Sequence, residues 1–344
     1  MSGQFAALPP ESSRLEASRV VLLPAPYDAT TTYRGGTRDG PRAIIDASRE
    51  LELYDLELDC EIAAAGLHTA PEIEPHLGDP AAMVARVRDA VRAVLDGARL
   101  PILLGGEHTL TAGAVAAAAG IWPDLALLYL DAHADVRGPY LGARYNHASA
   151  LRLALEDSGL SAASAVAVGV RSMAAEEASY LRRSGLPVVT GARVAGARRG
   201  AGPDEPLARL WDETLAALGP PGRPLYVSVD LDVFDPGALP AVGTPEPGGL
   251  DWYEVTSLLR AAARRFRVVA ADVMELAPAE GPVASAFTAA KLVYKLAGYA
   301  LLDRAAPGPA RGAEAGGDGA RPRGDGGAAT GFGATAMESA SPSA

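Results

Sequence analysis

Six short apolar runs are spread along the chain, and they constrain the fold more than any other feature of the sequence. Their lengths suit strands that are buried on both faces of a sheet. The runs cover residues 20–24, 101–106, 125–130, 165–170, 224–229 and 266–274. Longer amphipathic segments with helical spacing lie between or after them, at 81–98, 253–266 and 286–302. Strands that alternate with helices predict an α/β fold with a mostly parallel sheet.

The composition changes at the two ends of the chain. Residues 304–344 are rich in Gly, Ala, Pro and Arg and contain almost no large apolar side chains, which predicts a disordered tail. Residues 1–17 are expected to form a loose N-terminal arm. One domain over 18–303 is predicted to hold the rest of the chain.

Charge and cysteine content exclude several classes of protein. The formal net charge of -11 offers no basic surface for nucleic acid or for an anionic membrane. Cys60 is the only cysteine, so an internal disulfide is impossible. No signal-peptide pattern or long apolar window is present. These features predict a cytoplasmic protein that binds neither nucleic acid nor membranes.

Ionisable side chains follow the apolar runs, where strands are predicted to end. In open α/β sheets, ligands bind at the carboxyl ends of the strands. The candidate ligands are His108, Asp131, His133, Asp135, Asp230 and Asp232. Their four carboxylates would balance two divalent cations, and this oxygen-rich set suits Mn²⁺. Carboxylates that bridge two metal ions hold them ~3.5–4 Å apart.

Structural explanations exist for each motif taken alone. A lone Asp-x-Asp is more often a turn or a helix cap than a metal ligand, and a lone His after Gly-Gly is more often an ordinary loop residue. The combination of three such motifs at strand ends favours a metal site. Glu107 could be a further ligand or could orient its loop, and it is left outside the predicted set.

Several motifs resemble those of the ureohydrolase family, which contains arginases and agmatinases. They are GGEH at 105–108, DAHAD at 131–135, SVDLDVFDPG at 228–237 and GTPEPGG at 243–249. The segments most similar to the agmatinase-like branch of archaea and bacteria are 26–44, 145–149 and 274–295. The resemblance implies a three-layer α/β/α sandwich with a mostly parallel central sheet, two Mn²⁺ per subunit, and a homo-oligomer that is a trimer or hexamer.

The resemblance also implies roles for individual residues. The implied ligands are His108 and Asp135 for one metal ion, His133 and Asp232 for the other, and Asp131 and Asp230 as bridges.

Further implied roles concern catalysis and substrate binding. Asp135 would aim a hydroxide, Glu275 would pair with the guanidinium group, and His147 would protonate the leaving amine. Thr244 is expected to shape the substrate side of the site, and Arg137 is a candidate contact for the substrate tail.

The loop at 136–147 bears on the choice of guanidino substrate. It lacks the Asn/Ser/Thr-rich pattern with which arginases hold an amino acid, so L-arginine is disfavoured. Hydrolysis of agmatine to putrescine and urea is the leading prediction. However, the loop contains Arg137 and Arg144 and no acid, which would suit the carboxylate of 4-guanidinobutanoate better. Asp28 and Asp39 are candidate partners for an amine tail. N1-aminopropylagmatine and a formimino compound such as formiminoglutamate are further alternatives.

Two hypotheses outside this enzyme class also stay open. One is an inactive scaffold that binds metal. The other is a deacetylase of related fold, which would use one zinc ion. Metal stoichiometry and urea release distinguish both from a dinuclear amidinohydrolase.

Overall fold

Ten strands and ten α-helices are present in the residues that the computed structural model describes, 3–199 and 206–302. The strands are β1 (Val20–Ala25), β2 (Tyr54–Asp55), β3 (Cys60–Glu61), β4 (Leu67–Thr69), β5 (Leu100–Gly105), β6 (Ala126–Leu130), β7 (Ala165–Val170), β8 (Val188–Thr190), β9 (Pro224–Asp230) and β10 (Arg267–Met274). The helices are α1 (Pro10–Ser13), α2 (Gly40–Ser48), α3 (Pro80–Asp96), α4 (Thr111–Ala119), α5 (Ala150–Ser158), α6 (Ala175–Ser184), α7 (Gly191–Arg199), α8 (Pro206–Ala217), α9 (Trp252–Arg265) and α10 (Val283–Leu302).

Eight of the strands form one sheet, in the spatial order β4-β1-β5-β10-β9-β6-β7-β8. Every pairing within it is parallel. The six apolar runs of the sequence are its six central strands, which confirms that prediction. β2 and β3 form a separate antiparallel pair.

Helices cover both faces of the sheet because successive residues of each buried strand point to opposite sides. Val20 and Leu22 of β1 belong to a core shared with α2, α9 and α10. Val21 and Leu23 belong to a second core, shared with α3, α4 and α5. The fold is therefore a three-layer α/β/α sandwich, as expected.

The N-terminal residues 3–17 differ from the loose arm that was expected. Phe5 is fully buried and packs into the core that contains β1 and α2. The Phe5 N–H donates to Thr69 Oγ1 at 2.9 Å, and the Ala6 N–H donates to Ser48 Oγ at 2.7 Å. Burial of the one large aromatic side chain in this segment outweighs the entropy of a free arm.

The predicted tail at 304–344 lies outside the described residues. Within 3–199 and 206–302, no helix combines the length and apolar character that a membrane span requires.

The sheet order explains why the charged motifs can meet. β5, β10, β9 and β6 are consecutive neighbours at the centre of the sheet. Since all four run in the same direction, their carboxyl ends lie along one edge. The motifs that follow these strands are therefore brought together, although they are up to 170 residues apart in sequence.

Candidate metal centre and active site

The turn after β5 places the first imidazole. Gly106 is required there, because a Cβ at this position would lie 1.8 Å from the Tyr27 carbonyl oxygen. The close approach lets the Glu107 N–H donate to that same carbonyl at 2.8 Å. His108 then begins a short 3-10 turn and is buried, with 1% of its surface exposed.

Two groups of ligand atoms lie at this edge of the sheet. The first consists of His108, Asp131 and Asp230, and the second of Asp131, His133 and Asp232. His108 Nδ1 is 3.1 Å from Asp131 Oδ2 and 3.0 Å from Asp230 Oδ2. His133 Nδ1 is 2.8 Å from Asp232 Oδ2 and 3.6 Å from Asp131 Oδ1. Asp131 is thus common to both groups and directs one oxygen toward each imidazole.

Asp135 lies beside the group formed by His108, Asp131 and Asp230 but is not a member of it. Its Oδ2 is 3.7 Å from His108 Nδ1 and accepts a hydrogen bond from Tyr129 Oη at 2.9 Å. The Asp135 backbone has a φ of 50°, in the left-handed region that non-glycine residues rarely adopt. Strained backbone of this kind concentrates at functional sites.

A chain of hydrogen bonds fixes the orientation of His108. Ser228 Oγ donates to Asp272 Oδ1 at 2.7 Å, so it accepts from His108 Nε2, which is 2.8 Å away. Asp272 is fully buried and also accepts from Tyr226 and Thr111. Asp131 and Asp230, which lie beside Nδ1, raise the pKa of His108 well above its usual value. A bound metal ion would take the place of the proton on Nδ1, while the contact of Nε2 with Ser228 keeps the ring oriented.

The electrostatics of these groups fit bound cations. Burial, together with the charges of neighbouring aspartates, raises the pKa of Asp135 and Asp230 well above the usual range. Asp131 is fully buried, and its Oδ2 accepts no hydrogen bond. An unsatisfied buried carboxylate is costly. Two divalent cations between the carboxylates and the imidazole lone pairs would neutralise these charges.

Glu275 follows β10 and faces the same cavity. Its Oε1 accepts a hydrogen bond from the His108 N–H at 2.6 Å, and its backbone has a φ of 67°. Burial raises the pKa of Glu275 to about 8. A cation close to this carboxylate would favour its ionised form.

His147 reaches the site from the loop after β6. Its Nδ1 donates to the Thr30 carbonyl at 2.8 Å, and Thr32 Oγ1 lies 3.1 Å from Nε2. Burial lowers the pKa of His147 below its usual value of 6.5. Neutral His147 therefore carries its proton on Nδ1 and has a proton-accepting Nε2.

A cavity of about 290 Å³ unites most of the residues singled out in the sequence. Eight of the ten predicted site residues line it: His133, Asp135, Arg137, His147, Asp230, Asp232, Thr244 and Glu275. The other two, His108 and Asp131, lie in the buried base of the site. The edge of the sheet and the loops above it thus form one continuous site.

Arg137 has an acidic partner from outside the 136–147 loop, which itself contains no acid. Arg137 Nε lies 3.5 Å from Glu177 Oε2, and its guanidinium lies over the Tyr140 ring at 4.5 Å. Glu177 belongs to α6 and also lines the cavity. Arg144 pairs instead with Asp157 at 3.0 Å. The positive charge of the 136–147 loop is therefore largely compensated.

The other acids suggested for the substrate tail do not line the cavity. Asp28 is buried, forms an ion pair with Arg38 and accepts a hydrogen bond from the Gly36 N–H. Asp39 is exposed at the start of α2. Asp28 therefore stabilises its own loop.

The fold and the site together define a class of protein: a parallel α/β sandwich with paired carboxylate–imidazole groups at the carboxyl edge of its sheet. The chain belongs to the arginase family, whose model matches residues 18–298. This assignment places it among the hydrolases of that family and confirms the family suggested by the motifs.

Individual relatives cover most of the chain. It is 37% identical over 287 residues to the N(1)-aminopropylagmatine ureohydrolase of Synechocystis sp., which spans 81% of this chain and 88% of the relative. It is 32% identical over 289 residues to the agmatinase of Pyrococcus horikoshii, with 81% and 90% covered. The crystal structure of the agmatine ureohydrolase of Thermoplasma volcanium has a TM-score of 0.74 and 30% identity, covering 84% of this chain and 93% of that one.

The Ser228→Ala variant tests whether the buried hydroxyl supports a metal ligand. It leaves His108 Nε2 and Asp272 Oδ1 without their shared partner. We expect divalent-ion affinity to fall by about 10–100-fold, the usual effect of losing such a support. Competition with a chelator measures the affinity, and Ser161→Ala, at an exposed loop position, is the control. Equal affinities in both variants would contradict the assignment.

Proposed function

We propose that this protein is a dinuclear manganese ureohydrolase that converts a guanidino compound with a cationic tail into urea and an amine. The observation that carries the proposal is the convergence of both ligand groups, Glu275 and His147 around one cavity. Bound Mn²⁺ ions would lower the pKa of water and supply hydroxide at neutral pH. The ligands would be the six His and Asp residues predicted from the sequence, with Asp131 shared.

Four residues of the chain would bind the substrate, orient the nucleophile and transfer the proton. Glu275 would pair with the substrate guanidinium and hold it beside the metal ligands, since paired forks of this kind are directional. Asp135 would accept a hydrogen bond from the attacking nucleophile and aim it. His147 would take up a proton at Nε2 and deliver it to the leaving amine. Thr244 would shape the wall of the cavity beside the guanidinium.

N1-aminopropylagmatine is the substrate we propose first, with agmatine as the second candidate. The relatives named for the longer cation are 33–37% identical to this chain, and those named agmatinase are 32–33% identical. The Arg137–Glu177 pair removes the main electrostatic objection to a cationic tail. A trimeric or hexameric assembly stays a prediction, which light scattering would measure.

A substrate panel tests the proposed function. Mn²⁺-loaded protein is assayed for urea release from N1-aminopropylagmatine, agmatine, 4-guanidinobutanoate and L-arginine, and for formamide release from formiminoglutamate. We expect kcat/KM for one of the two cationic guanidines to exceed that for the others by at least about 10-fold, a difference of ~1.4 kcal/mol.

Two other results would contradict the proposal. A preference for 4-guanidinobutanoate would show that Arg137 leaves Glu177 to bind a carboxylate, and it would overturn the cationic tail. No urea from any guanidine, with two metal ions bound per chain, would reject the substrate class.

A further inference from the structure

Glu107 is a buried carboxylate that belongs to neither ligand group, and it is linked to His147 through Thr30. Glu107 has no exposed surface, and its two oxygens accept three hydrogen bonds. The donors are the Thr30 N–H at 2.6 Å, Thr30 Oγ1 at 2.5 Å and Thr109 Oγ1 at 2.6 Å. Charge-assisted hydrogen bonds of this length are among the strongest in proteins. Glu107 therefore holds Thr30 at both its backbone and its side chain.

Thr30 in turn holds His147 by two hydrogen bonds. The Thr30 carbonyl accepts from His147 Nδ1 at 2.8 Å, and Thr30 Oγ1 accepts from the His147 N–H at 3.2 Å. The carbonyl contact determines which ring nitrogen carries the proton. The opposite nitrogen, Nε2, then lies on the cavity side beside Thr32.

We propose that Glu107 is a positioning residue, which acts through Thr30 to hold His147 in the Nδ1–H tautomer with Nε2 directed at the leaving amine. This inference rests on the proposed function, in which His147 protonates that amine. Glu107 lies 77 residues from Thr30 in sequence, and Thr30 lies 117 residues from His147. The contacts thus join three separate segments of the chain at one point.

The Glu107→Gln variant tests this proposal with two substrates that differ in their need for a proton. One is the preferred guanidine, whose amine must be protonated to depart. The other is the matching S-alkylisothiourea, which water converts to urea and a thiol. A thiol leaves readily as the thiolate, because its pKa is about 8.5. An amine that departs without a proton would have to leave as the amide anion, which is a far stronger base than a thiolate.

We expect Glu107→Gln to lower kcat for the guanidine by about 100-fold, within the range of general acid catalysis, with KM and bound metal unchanged. For the isothiourea we expect a loss of less than about 3-fold. Thr30→Val should likewise slow the guanidine far more than the isothiourea, because it removes the hydroxyl that contacts Glu107 and His147. Thr30→Ser keeps the hydroxyl and should keep the activity of the native protein on both substrates. Glu50→Gln, at an exposed position, is the control. Equal losses on both substrates would show a purely structural role and overturn the proposal.

Histidine NMR decides the question independently of activity. The chain has only five histidines, so ¹⁵N-labelled rings can be assigned by substitution. We expect the Nδ1–H tautomer for His147 in the native protein and a mixture of tautomers in Glu107→Gln. An unchanged tautomer in the variant would refute the positioning role. If the native protein hydrolyses no guanidine, the proposed function fails while this measurement still tests the contact.

Discussion

Replacement of Asp131 by Asn is expected to abolish metal-dependent urea release. Asp131 is the one residue shared by both ligand groups, and it is completely buried. Asn preserves the shape of the side chain but removes the negative charge that two cations would share. We expect kcat/KM to fall by roughly 10³-fold or more, because the nucleophile depends on the metal centre. Bound metal should fall below two ions per chain.

The measurement combines steady-state kinetics with elemental analysis of the purified variant. Asp89→Asn is the matched control, since the Asp89 side chain is 70% exposed on α3. We expect the control to keep native activity and native metal content. A variant at Asp131 that binds two metal ions and retains activity within 10-fold would contradict the shared-ligand role.

Replacement of Glu275 by Gln is expected to separate substrate binding from metal binding. Glu275 lines the cavity but belongs to neither ligand group. Its loss would leave the substrate guanidinium without an anionic partner in a buried setting, which costs about 2–5 kcal/mol. We therefore expect kcat/KM to fall by about 10²–10³-fold, with two metal ions retained.

The same assays distinguish this variant from Asp131→Asn. Glu280→Gln is the neighbouring control, because Glu280 pairs with Arg34 on the surface and does not line the cavity. Loss of metal from the Glu275 variant would instead assign this carboxylate to the metal centre. Unchanged kcat and KM would show that Glu275 does not bind the substrate guanidinium.

The sequence predicts the centre of the sheet better than its edges. The six central strands are recognisable because burial on both faces requires continuous apolar runs. The edge strands β4 and β8 were not predicted. Each has only three residues and includes polar or partly exposed side chains, among them His68 and Thr190. Such short segments carry too little pattern to be distinguished from loops.

The ligand groups were predictable because their convergence follows from topology. Residues at the carboxyl ends of neighbouring parallel strands must lie close together. The partners of these groups were not predictable, since they come from distant segments. Glu177 lies on a helix 40 residues after Arg137, and nothing in the local sequence marks it as that arginine's partner. The Ser228–Asp272 contact likewise depends on the pairing of β9 with β10.

Tertiary contacts answer one question that the sequence left open and overturn one expectation. Glu107 could have been a ligand or a loop-orienting residue, and its hydrogen bonds to Thr30 and Thr109 assign it to the loop. The N-terminal residues 1–17 were expected to form a loose arm. Phe5, Ala6 and Leu8 are all buried in the core that contains β1 and α2, and together they dock the segment.

Titration of the metal-free, full-length protein with Mn²⁺ tests the two-metal account most directly. Bound metal and urea release from N1-aminopropylagmatine and agmatine are measured on the same samples. The account predicts no urea release without metal and a plateau of activity at two ions per chain. Activity in the metal-free protein, a plateau at one ion, or two bound ions without urea from either substrate would contradict it.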